Sequence, residues 1–328
     1  MKSLIIGGGG FVGPYLIKHL RDDLGQEVCV TKMAHETIPE DALTPRAAGV
    51  APTKVYDLNI LKKEEIEDLF KEVRPDRVFH LAAQSSVAVA WKNPSMTIEV
   101  NIVGAVNVLD AVRDFLPEAK VLLIGSCEEY GHIHEDEAHI AEDTTLRPGN
   151  IYAATKACQN MFGSIYAEAY HLNVVMTRSF NHIGPNQLPQ FVVADFCKQV
   201  AEIEAMAEKG ETDLPSIRVG NLLAQRDFLD VRDVVRAYAM VIEKGQPGET
   251  YNVGRGKAVA IQDILKTILK EAKVTIAVEK DPEKFRPVDI PLFEADASKL
   301  KETTGWEPQI PLEQTIAETV EYWRKRTD

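Results

Sequence analysis

Short apolar runs alternate with amphipathic stretches through the first half of the chain. The apolar runs predict buried strands at Ser3–Ile6, Glu27–Thr31, Lys54–Tyr56, Arg77–Leu81, Lys120–Gly125 and Asn173–Thr177. Apolar residues at helical spacing predict the helices Phe11–Leu20, Lys62–Val73, Pro94–Leu116 and Tyr152–Tyr170. Strands that are apolar throughout and alternate with helices are typical of a parallel sheet covered on both faces. The pattern therefore predicts an α/β fold with a doubly wound parallel sheet.

The pattern changes after Arg178, where residues 181–189 are rich in polar and turn-forming types. Helices are predicted at about Gln190–Glu208 and Leu312–Lys325, with short strands and helices between them. We expect residues 1–178 to form the main domain and residues 179–328 to form mainly a smaller, interleaved lobe. A later segment, about 222–250, is expected to return to the first domain.

Four glycines join the first predicted strand to the first predicted helix. Gly7, Gly10 and Gly13 form a G-x-x-G-x-x-G pattern that also includes Phe11 and Val12. In such a loop the first glycine permits the tight turn, the second lets a pyrophosphate approach the backbone, and the third lets helix and strand pack closely. The strand–loop–helix context predicts that the first domain binds a dinucleotide in a Rossmann fold. A glycine-rich turn without a ligand is the alternative.

The second predicted strand bears on which dinucleotide binds. An acid usually follows this strand and pairs with the ribose 2′-hydroxyl of NAD. Here the residues are Thr31 and Lys32, and the next carboxylate is Glu36. A lysine at this place suits a 2′-phosphate, so NADP(H) is predicted over NAD(H), with an ordinary surface lysine as the alternative.

Composition narrows the range of partners. The chain has 45% hydrophobic and 27% charged residues, as ordinary globular proteins do, and a formal net charge of −13. That charge argues against nucleic acid or an anionic membrane surface as the main partner. We see neither a signal peptide nor a run of about 18 apolar residues, and so expect a cytoplasmic protein without a membrane segment. The four cysteines are far apart, so no metal site is expected.

Tyr152 and Lys156 are the main candidates for chemistry. They stand at positions i and i+4 of a predicted helix that Asn150 would cap, so both side chains share one face. A nearby cation stabilises a phenolate and lowers the pKa of a tyrosine from its usual ~10. Ser126 ends the fifth predicted strand, and its place at the carboxyl edge of the sheet puts it near a bound dinucleotide.

These features together resemble the extended short-chain dehydrogenase/reductase family. The resemblance covers the glycine loop, Asp57-Leu58, His80-Leu-Ala-Ala83, Asn101, Ser126 and Tyr152-x-x-x-Lys156. It implies that Tyr152 is the general acid/base, that Lys156 lowers the pKa of Tyr152 and holds the nicotinamide ribose, and that Ser126 hydrogen-bonds the reacting oxygen. The cofactor-binding residues that it implies are Gly7, Gly10, Phe11, Val12, Gly13, Lys32, Asp57, Leu58, Leu81, Ala82, Ala83, Asn101, Tyr152 and Lys156.

The second half resembles the nucleotide-sugar branch of that family. The segments that carry the likeness are Arg178–Pro185, Val219–Asp233 and Phe285–Pro291. The resemblance implies a GDP-linked sugar as substrate, with Asn181, Arg226 and Arg286 at the diphosphate. Arginine suits this role because its planar fork pairs phosphate oxygens, although an ordinary ion pair is the alternative for each. Gln84, Ser85 and Ser86 follow the fourth strand and are candidates for sugar contacts.

Glu128 bears on the type of reaction. In the 4,6-dehydratases of this branch a Thr-Ser-Glu pattern supplies a glutamate base, and Ser126-Cys-Glu128 keeps that glutamate without the threonine. The segment Met33–Glu40 also lacks the paired arginines of those dehydratases. We therefore expect NAD(P)H-dependent reduction of the 4-keto group of a GDP-4-keto-6-deoxyhexose, as in GDP-D-rhamnose synthesis, with Glu128 as a catalytic or sugar-binding residue. The alternatives are a 4,6-dehydratase, a 4-epimerase and, more remotely, a non-catalytic dinucleotide-binding protein.

The resemblance also implies a homodimer. Members of the family commonly pair two helices of each subunit in a four-helix bundle. The corresponding helices here are Pro94–Leu116 and Tyr152–Tyr170. Packing of these helices within one chain is the alternative.

Overall fold

The computed structural model describes residues 1–133, 139–285 and 292–327. Its strands are β1 (Lys2–Ile6), β2 (Glu27–Lys32), β3 (Lys54–Asp57), β4 (Arg77–His80), β5 (Lys120–Ser126), β6 (His139–Ile140), β7 (Asn173–Ser179), β8 (Asn181–Ile183), β9 (Ile217–Val219), β10 (Gln225–Asp230), β11 (Thr250–Val253), β12 (Ala258–Ala260), β13 (Val278–Lys280) and β14 (Leu292–Ala295). Its α-helices are α1 (Gly13–Lys18), α2 (Glu40–Leu43), α3 (Lys63–Val73), α4 (Val87–Lys92), α5 (Pro94–Ile98), α6 (Gly104–Phe115), α7 (Ile151–Tyr170), α8 (Val192–Glu208), α9 (Val231–Lys244), α10 (Ile261–Glu271), α11 (Ser298–Thr304) and α12 (Leu312–Arg324).

A seven-stranded sheet forms the centre of the molecule, in the order β11-β7-β5-β4-β1-β2-β3. Its neighbouring strands all run parallel. The chain starts at β1, moves outward through β2 and β3, and then crosses back to β4 and β5. The direction of winding therefore changes between β1 and β4, and ligands of open α/β sheets bind beyond the carboxyl ends of the strands at such a point. The predicted doubly wound α/β fold is confirmed.

Strand β1 ends in a continuous apolar run, Leu4–Ile6, because both faces of the sheet are covered. Successive side chains of a strand point to opposite faces. Leu4 packs in one core with Phe70 of α3, whereas Ile5 packs in the opposite core with Leu16 of α1 and Tyr238 of α9. Each fully buried side chain of this kind contributes roughly 1.5–3 kcal/mol. The two cores therefore hold β1, and with it the start of the glycine loop, firmly in place.

The helix predicted at Pro94–Leu116 is present but not uniform. The π turn Glu99–Val103 joins α5 to α6 and carries the fully buried Asn101. By length and mean hydropathy alone, Pro94–Phe115 is the one described stretch that could cross a membrane. A buried helix of a globular domain meets the same criterion, and 44% of the tested window is buried inside the protein.

The later part of the chain builds a second, smaller group of strands and helices. Strand β10 pairs with β8, β12 and β14, and β14 pairs with β6. Helices α8, α10 and α12 pack against one another beside these strands. The chain also returns to the large sheet, because β11 pairs with β7 and α9 packs on one face. The division near residue 178 remains our interpretation of this arrangement.

Candidate active site

Ser126, Tyr152 and Lys156 meet at the carboxyl edge of the large sheet. The side chain of Asn150 accepts a hydrogen bond from the backbone of Ala153 at 2.9 Å and caps α7 as predicted. This cap starts the helix two residues before Tyr152, whose hydroxyl hydrogen-bonds the side chain of Ser126 at the end of β5. Lys156 lies one turn further along α7 and is buried. The structure therefore brings the three predicted catalytic residues together.

Burial dominates the electrostatics of this group. It raises the pKa of Tyr152, and the hydrogen bond from Ser126 opposes part of that rise. Burial also lowers the pKa of Lys156 to about 8, against the charge of Glu129, which raises it. The role of Lys156 in lowering the pKa of Tyr152 remains a prediction. In the structure its ammonium donates to the carbonyl of Ile124 at 2.7 Å and to Gln159 Oε1 at 3.1 Å.

A buried ion pair outside the sequence predictions supports the turn Ser126–Tyr130, which carries two of the candidate catalytic residues and is referred to below as the catalytic turn. Glu129 is fully buried, and its carboxylate accepts from the backbone N–H of Ser126 at 2.7 Å, from Asn160 Nδ2 at 2.9 Å and from Arg178 Nε at 3.0 Å. The sequence contains one signal of this pair: two carboxylates, Glu128 and Glu129, stand two and three residues after the end of the mostly buried strand β5. Because Glu129 bonds the backbone of Ser126, it fixes the residue that holds the tyrosine hydroxyl.

Glu128 points to the other side of the same turn. Its backbone N–H donates to Ser126 Oγ at 3.2 Å, and its carboxylate oxygen Oε2 accepts from Asn150 Nδ2 at 3.0 Å. Asn150 thus caps α7 with one side-chain atom and holds Glu128 with the other. Glu128 therefore lies next to both Ser126 and the start of the helix that carries Tyr152.

The glycine loop fits a bound dinucleotide. Gly7 has a φ of +86°, and a Cβ there would lie 2.5 Å from the Cα of Ala82, so β4 closes on the loop. A Cβ at Gly13 would collide with the carbonyl of Gly8, which explains the close packing at the start of α1. A Cβ at Gly10 would meet no atom within 4 Å. The loop therefore opens at Gly10, where the sequence predicts that a pyrophosphate approaches.

Other predicted cofactor residues lie around this opening. The backbone N–H groups of Leu81 and Ala82 both donate to the carbonyl of Ile6, which places them, with Ala83 following, at the switch point between β1 and β4. The ring of Phe11 stacks on His182 with the planes 3° apart. Val12, which precedes α1, packs against the core on the α1 side of the sheet.

Asn101 fixes the segment that follows β4. Its fully buried side chain bonds both backbone groups of Gln84 and the hydroxyl of Thr155. These bonds join the end of β4 to α7, which carries Tyr152. A contact between Asn101 and a cofactor remains a prediction.

The ends of β2 and β3 carry charged side chains whose partners the sequence pattern did not predict. Lys32 Nζ donates to Asp57 Oδ1 at 2.7 Å, and the neighbouring Leu58 is buried. Glu36 accepts from the backbone N–H of Met33 at 2.9 Å. Its carboxylate lies beside the glycine loop, 2.6 Å from the position that a Cβ would take at Gly9. Glu36 was outside our list of candidate residues because it follows β2 by four positions.

The candidate substrate residues after β4 are partly engaged in holding their own loop. Gln84 Nε2 donates to the carbonyl of Ser86 and to the hydroxyl of Thr97, and Ser86 Oγ accepts from Val89 and caps α4. Ser85 is exposed. These bonds fix the loop that follows β4, and direct sugar contacts remain predictions.

The candidate diphosphate residues lie on the second group of strands. Asn181 is exposed on β8, next to β10. Arg226 lies on β10, with its guanidinium 5.8 Å from the centre of the Phe293 ring. Phe293 packs in one cluster with Cys127 of the catalytic turn, so Arg226 lies near that turn. Arg286 lies outside the described residues. Among the described residues, no cluster of His, Cys, Asp and Glu could hold a metal ion.

Comparison with known proteins identifies the family. A family model described as GDP-mannose 4,6 dehydratase matches residues 4–319. The chain belongs to this family.

Relatives within and around the family match over nearly their full length. The GDP-6-deoxy-D-mannose reductase of Pseudomonas aeruginosa is 31% identical over 325 residues, which cover 99% of this chain and 98% of that relative. The structure of RMD from Pseudomonas aeruginosa complexed with NADPH has a TM-score of 0.82 and 27% identity, and covers 99% of this chain and 100% of that one. The UDP-glucose 4-epimerase of Thermus thermophilus in complex with NAD has a TM-score of 0.83 and 30% identity, and covers 99% of each chain.

Proteins with reductase, dehydratase and epimerase names thus share this fold. A shared fold does not fix the reaction, which depends on the residues of the site. For this member of the GDP-mannose 4,6-dehydratase family, the candidates for those residues are the Ser126–Tyr152–Lys156 group and the neighbouring Glu128.

Proposed function

We propose that this protein reduces the 4-keto group of a GDP-4-keto-6-deoxyhexose. The observation that carries the proposal is the hydrogen bond between Tyr152 and Ser126 at the carboxyl edge of the large sheet, the edge at which the glycine loop also opens. The 31% identity to a GDP-6-deoxy-D-mannose reductase over 99% of the chain supports the choice of substrate.

The residues of the chain would act on the ketone oxygen. A bound nicotinamide cofactor supplies the hydride when it is reduced. As C4 accepts the hydride, the π electron pair of the C4=O bond moves onto the oxygen, and Tyr152 would donate its proton to that oxygen as its own O–H bond breaks. Ser126 donates a hydrogen bond that holds the same oxygen. Lys156, one turn along α7, supplies the positive charge that stabilises the phenolate left on Tyr152.

We expect the cofactor to lie along the carboxyl edge of the large sheet, between the glycine loop and α7. Gly7, Gly10 and Gly13 suit the pyrophosphate, and Leu81 to Ala83 suit the path along β4. Asn181, Arg226 and Arg286 stay candidates for the nucleotide diphosphate of the substrate. Arg226 has a position that supports this role, because it lies near the catalytic turn.

The cofactor is a nicotinamide dinucleotide, and its phosphorylation state is a separate question. From the sequence alone, Lys32 favours NADP(H) over NAD(H). Two contacts argue against a preference for NADP(H). The ammonium of Lys32 is paired with Asp57, and Glu36 lies beside Gly9. A 2′-phosphate would have to compete with Asp57 and would face Glu36. We therefore propose that NADH is used at least as well as NADPH.

A 4,6-dehydratase is the second candidate, because the chain carries Glu128 and belongs to a family named for that reaction. A 4-epimerase is a further alternative. Both leave the cofactor in its starting redox state after a full cycle, whereas the reductase oxidises it. A non-catalytic dinucleotide-binding protein would not need Ser126, Tyr152 and Lys156 together.

A homodimer remains our proposal for the assembly. The stretch from α5 to α6 and helix α7 expose several large apolar side chains, which supports pairing with a second copy. They are Ile98 (44% exposed), Val103 (46%), Met161 (59%) and Ile165 (50%). Light scattering in solution tests this proposal, and a monomer would contradict it. The cytoplasmic location also stays a prediction.

The proposed reaction is tested with GDP-4-keto-6-deoxymannose and each reduced cofactor in turn. We expect loss of nicotinamide absorbance in proportion to the sugar consumed, and a 4-hydroxy product. Release of water from GDP-mannose with no net loss of reduced cofactor would support the dehydratase instead.

A further inference from the structure

The side chain of Asn150 links the start of α7 to the catalytic turn after β5. Asn150 Oδ1 accepts from the backbone of Ala153 and starts α7, while Asn150 Nδ2 donates to Glu128 Oε2 at 3.0 Å. Glu128 in turn donates its backbone N–H to Ser126 Oγ. A short chain of hydrogen bonds therefore runs from the start of the tyrosine helix, through the Glu128 carboxylate and backbone, to the serine.

The chemistry of a 4-keto sugar makes the position of this carboxylate important. A carbon–hydrogen bond next to a ketone is acidic because its electron pair can pass into an enolate. A ketone oxygen held between Ser126 and Tyr152 lies next to Glu128, which follows Ser126 by two residues. A carboxylate free to turn toward that carbon would act as a general base. Reduction needs no such base.

We infer that Asn150 is a positioning residue that holds the Glu128 carboxylate against the start of α7 and so suppresses proton abstraction from the carbon next to the ketone. This inference rests on the proposed function, since it takes a 4-keto sugar as the ligand. It explains how a chain that keeps the glutamate of the dehydratases would still work as a reductase. The Asn150 amide occupies one carboxylate oxygen and fixes its direction.

The suppressed step can be written in full. The Glu128 carboxylate takes the proton of the carbon–hydrogen bond, the bonding pair forms a carbon–carbon double bond, and the π pair of the ketone moves onto its oxygen. That oxygen takes the proton of Tyr152, which gives an enol and leaves a phenolate on Tyr152. The reverse step, with a carboxyl group that has exchanged with heavy water, returns deuterium to the carbon. No oxidation or reduction occurs, so deuterium enters the keto sugar without turnover of the cofactor.

The test follows this exchange in heavy water with GDP-4-keto-6-deoxymannose and oxidised cofactor. Asn150→Ser keeps an N-cap, because serine caps helices about as well as asparagine, but loses the amide donor. We expect wild-type protein to give only the exchange seen without protein. Asn150→Ser should raise exchange by about tenfold or more, below the ~100-fold that a well-placed base contributes. Mass spectrometry of the recovered sugar measures the label.

Two further variants complete the test. Asn150→Ser combined with Glu128→Gln should return exchange to the background, because the base is gone. Asn150→Asp keeps the cap but replaces the amide donor with a second carboxylate, so it should also raise exchange. This variant tests the inference independently in case Asn150→Ser disturbs the fold. Thermal unfolding of each variant confirms that α7 stays capped.

Two outcomes overturn the inference. Exchange at the wild-type level in both Asn150→Ser and Asn150→Asp would show that Asn150 restrains nothing. Rapid exchange by wild-type protein that is lost in Asn150→Ser would show that Asn150 aims Glu128 as a base. Neither outcome depends on the proposed reductase activity, which is measured separately by cofactor oxidation with the same wild-type preparation.

Discussion

The candidate site contains an ion pair at each of its two ends, and the two pairs differ in their exposure to water. The catalytic end is the turn after β5, and the other end is formed by the residues at the ends of β2 and β3. At the catalytic end, Glu129 and Arg178 form an ion pair whose side chains are 0% and 9% exposed. At the other end, Lys32 and Asp57 form an ion pair whose side chains are 19% and 62% exposed. Breaking a buried pair leaves an unpaired charge in a low dielectric, whereas water and salt weaken an exposed pair. We therefore expect the turn that carries Ser126 to be rigid, and we expect the exposed contacts proposed to influence the choice of cofactor to change at a smaller cost in stability.

Loss of the buried pair should have the largest effect on stability. Glu129→Gln leaves Arg178 without its counter-charge and should lower the free energy of unfolding by about 3–5 kcal/mol. Asp57→Asn is the matched control at the exposed end and should change it by about 1 kcal/mol or less. Urea unfolding of both variants makes the comparison. Equal losses in the two variants would show that the two ends do not differ as we describe.

Loss of the tyrosine hydroxyl should have the largest effect on chemistry. Tyr152→Phe removes the proton donor and should reduce turnover by about 100-fold or more, on the scale of general acid catalysis. Cofactor binding, measured by calorimetry, should stay nearly unchanged because the ring remains. Near-normal turnover in this variant would contradict the role given to Tyr152.

At the exposed end, Glu36 should influence the choice of cofactor. Glu36→Gln removes the carboxylate beside Gly9 and should improve the binding of NADPH relative to NADH by about tenfold, which corresponds to ~1.4 kcal/mol. Calorimetric titration with both cofactors measures the ratio, and Glu40→Gln, further along the same segment, serves as the control. A ratio that does not move in Glu36→Gln would show that this carboxylate does not face the ribose.

The smallest predicted effect is a pH dependence. Burial lowers the pKa of Lys156 to about 8, so its charge is lost as pH rises through that value. Reduction should then decline on the alkaline side near pH 8, because the phenolate loses its stabilising cation. Lys156→Arg keeps its proton at this pH and should remove the decline. A decline only near pH 10 would mean that Lys156 titrates like a free lysine.

The same shift has a consequence for folding. Lysine in the unfolded chain titrates near ~10.4, above the value for Lys156 in the folded protein. Between these two values the unfolded state binds more protons, so the contribution of Lys156 to stability rises with pH from about 8 to about 10.

Local patterns in the sequence predicted the parts of the site that local structure creates. The glycine loop follows from a strand, a turn and a helix that are adjacent in sequence. The cap at Asn150 and the shared face of Tyr152 and Lys156 follow from a single helix. The structure confirms the fold and brings these residues together, although their catalytic roles stay predictions.

Contacts across the fold were beyond the sequence patterns. Glu129 and Arg178 are 49 residues apart and meet only because β5 and β7 are neighbours in the sheet. Glu36 reaches the glycine loop only through the fold of the segment after β2. The partners of Lys156 depend on the path of β5, which places the Ile124 carbonyl beneath its ammonium. These contacts set the electrostatics of the site.

In the proposed reaction, a bound nicotinamide would supply a hydride to C4 of the sugar. The direct measurement uses GDP-4-keto-6-deoxymannose and a reduced cofactor that carries deuterium at the transferable position. We predict a product with deuterium at C4 of the sugar, found by nuclear magnetic resonance, and one oxidised cofactor for each product molecule. A product without deuterium at C4, or consumption of the sugar while the cofactor stays reduced, would contradict the account.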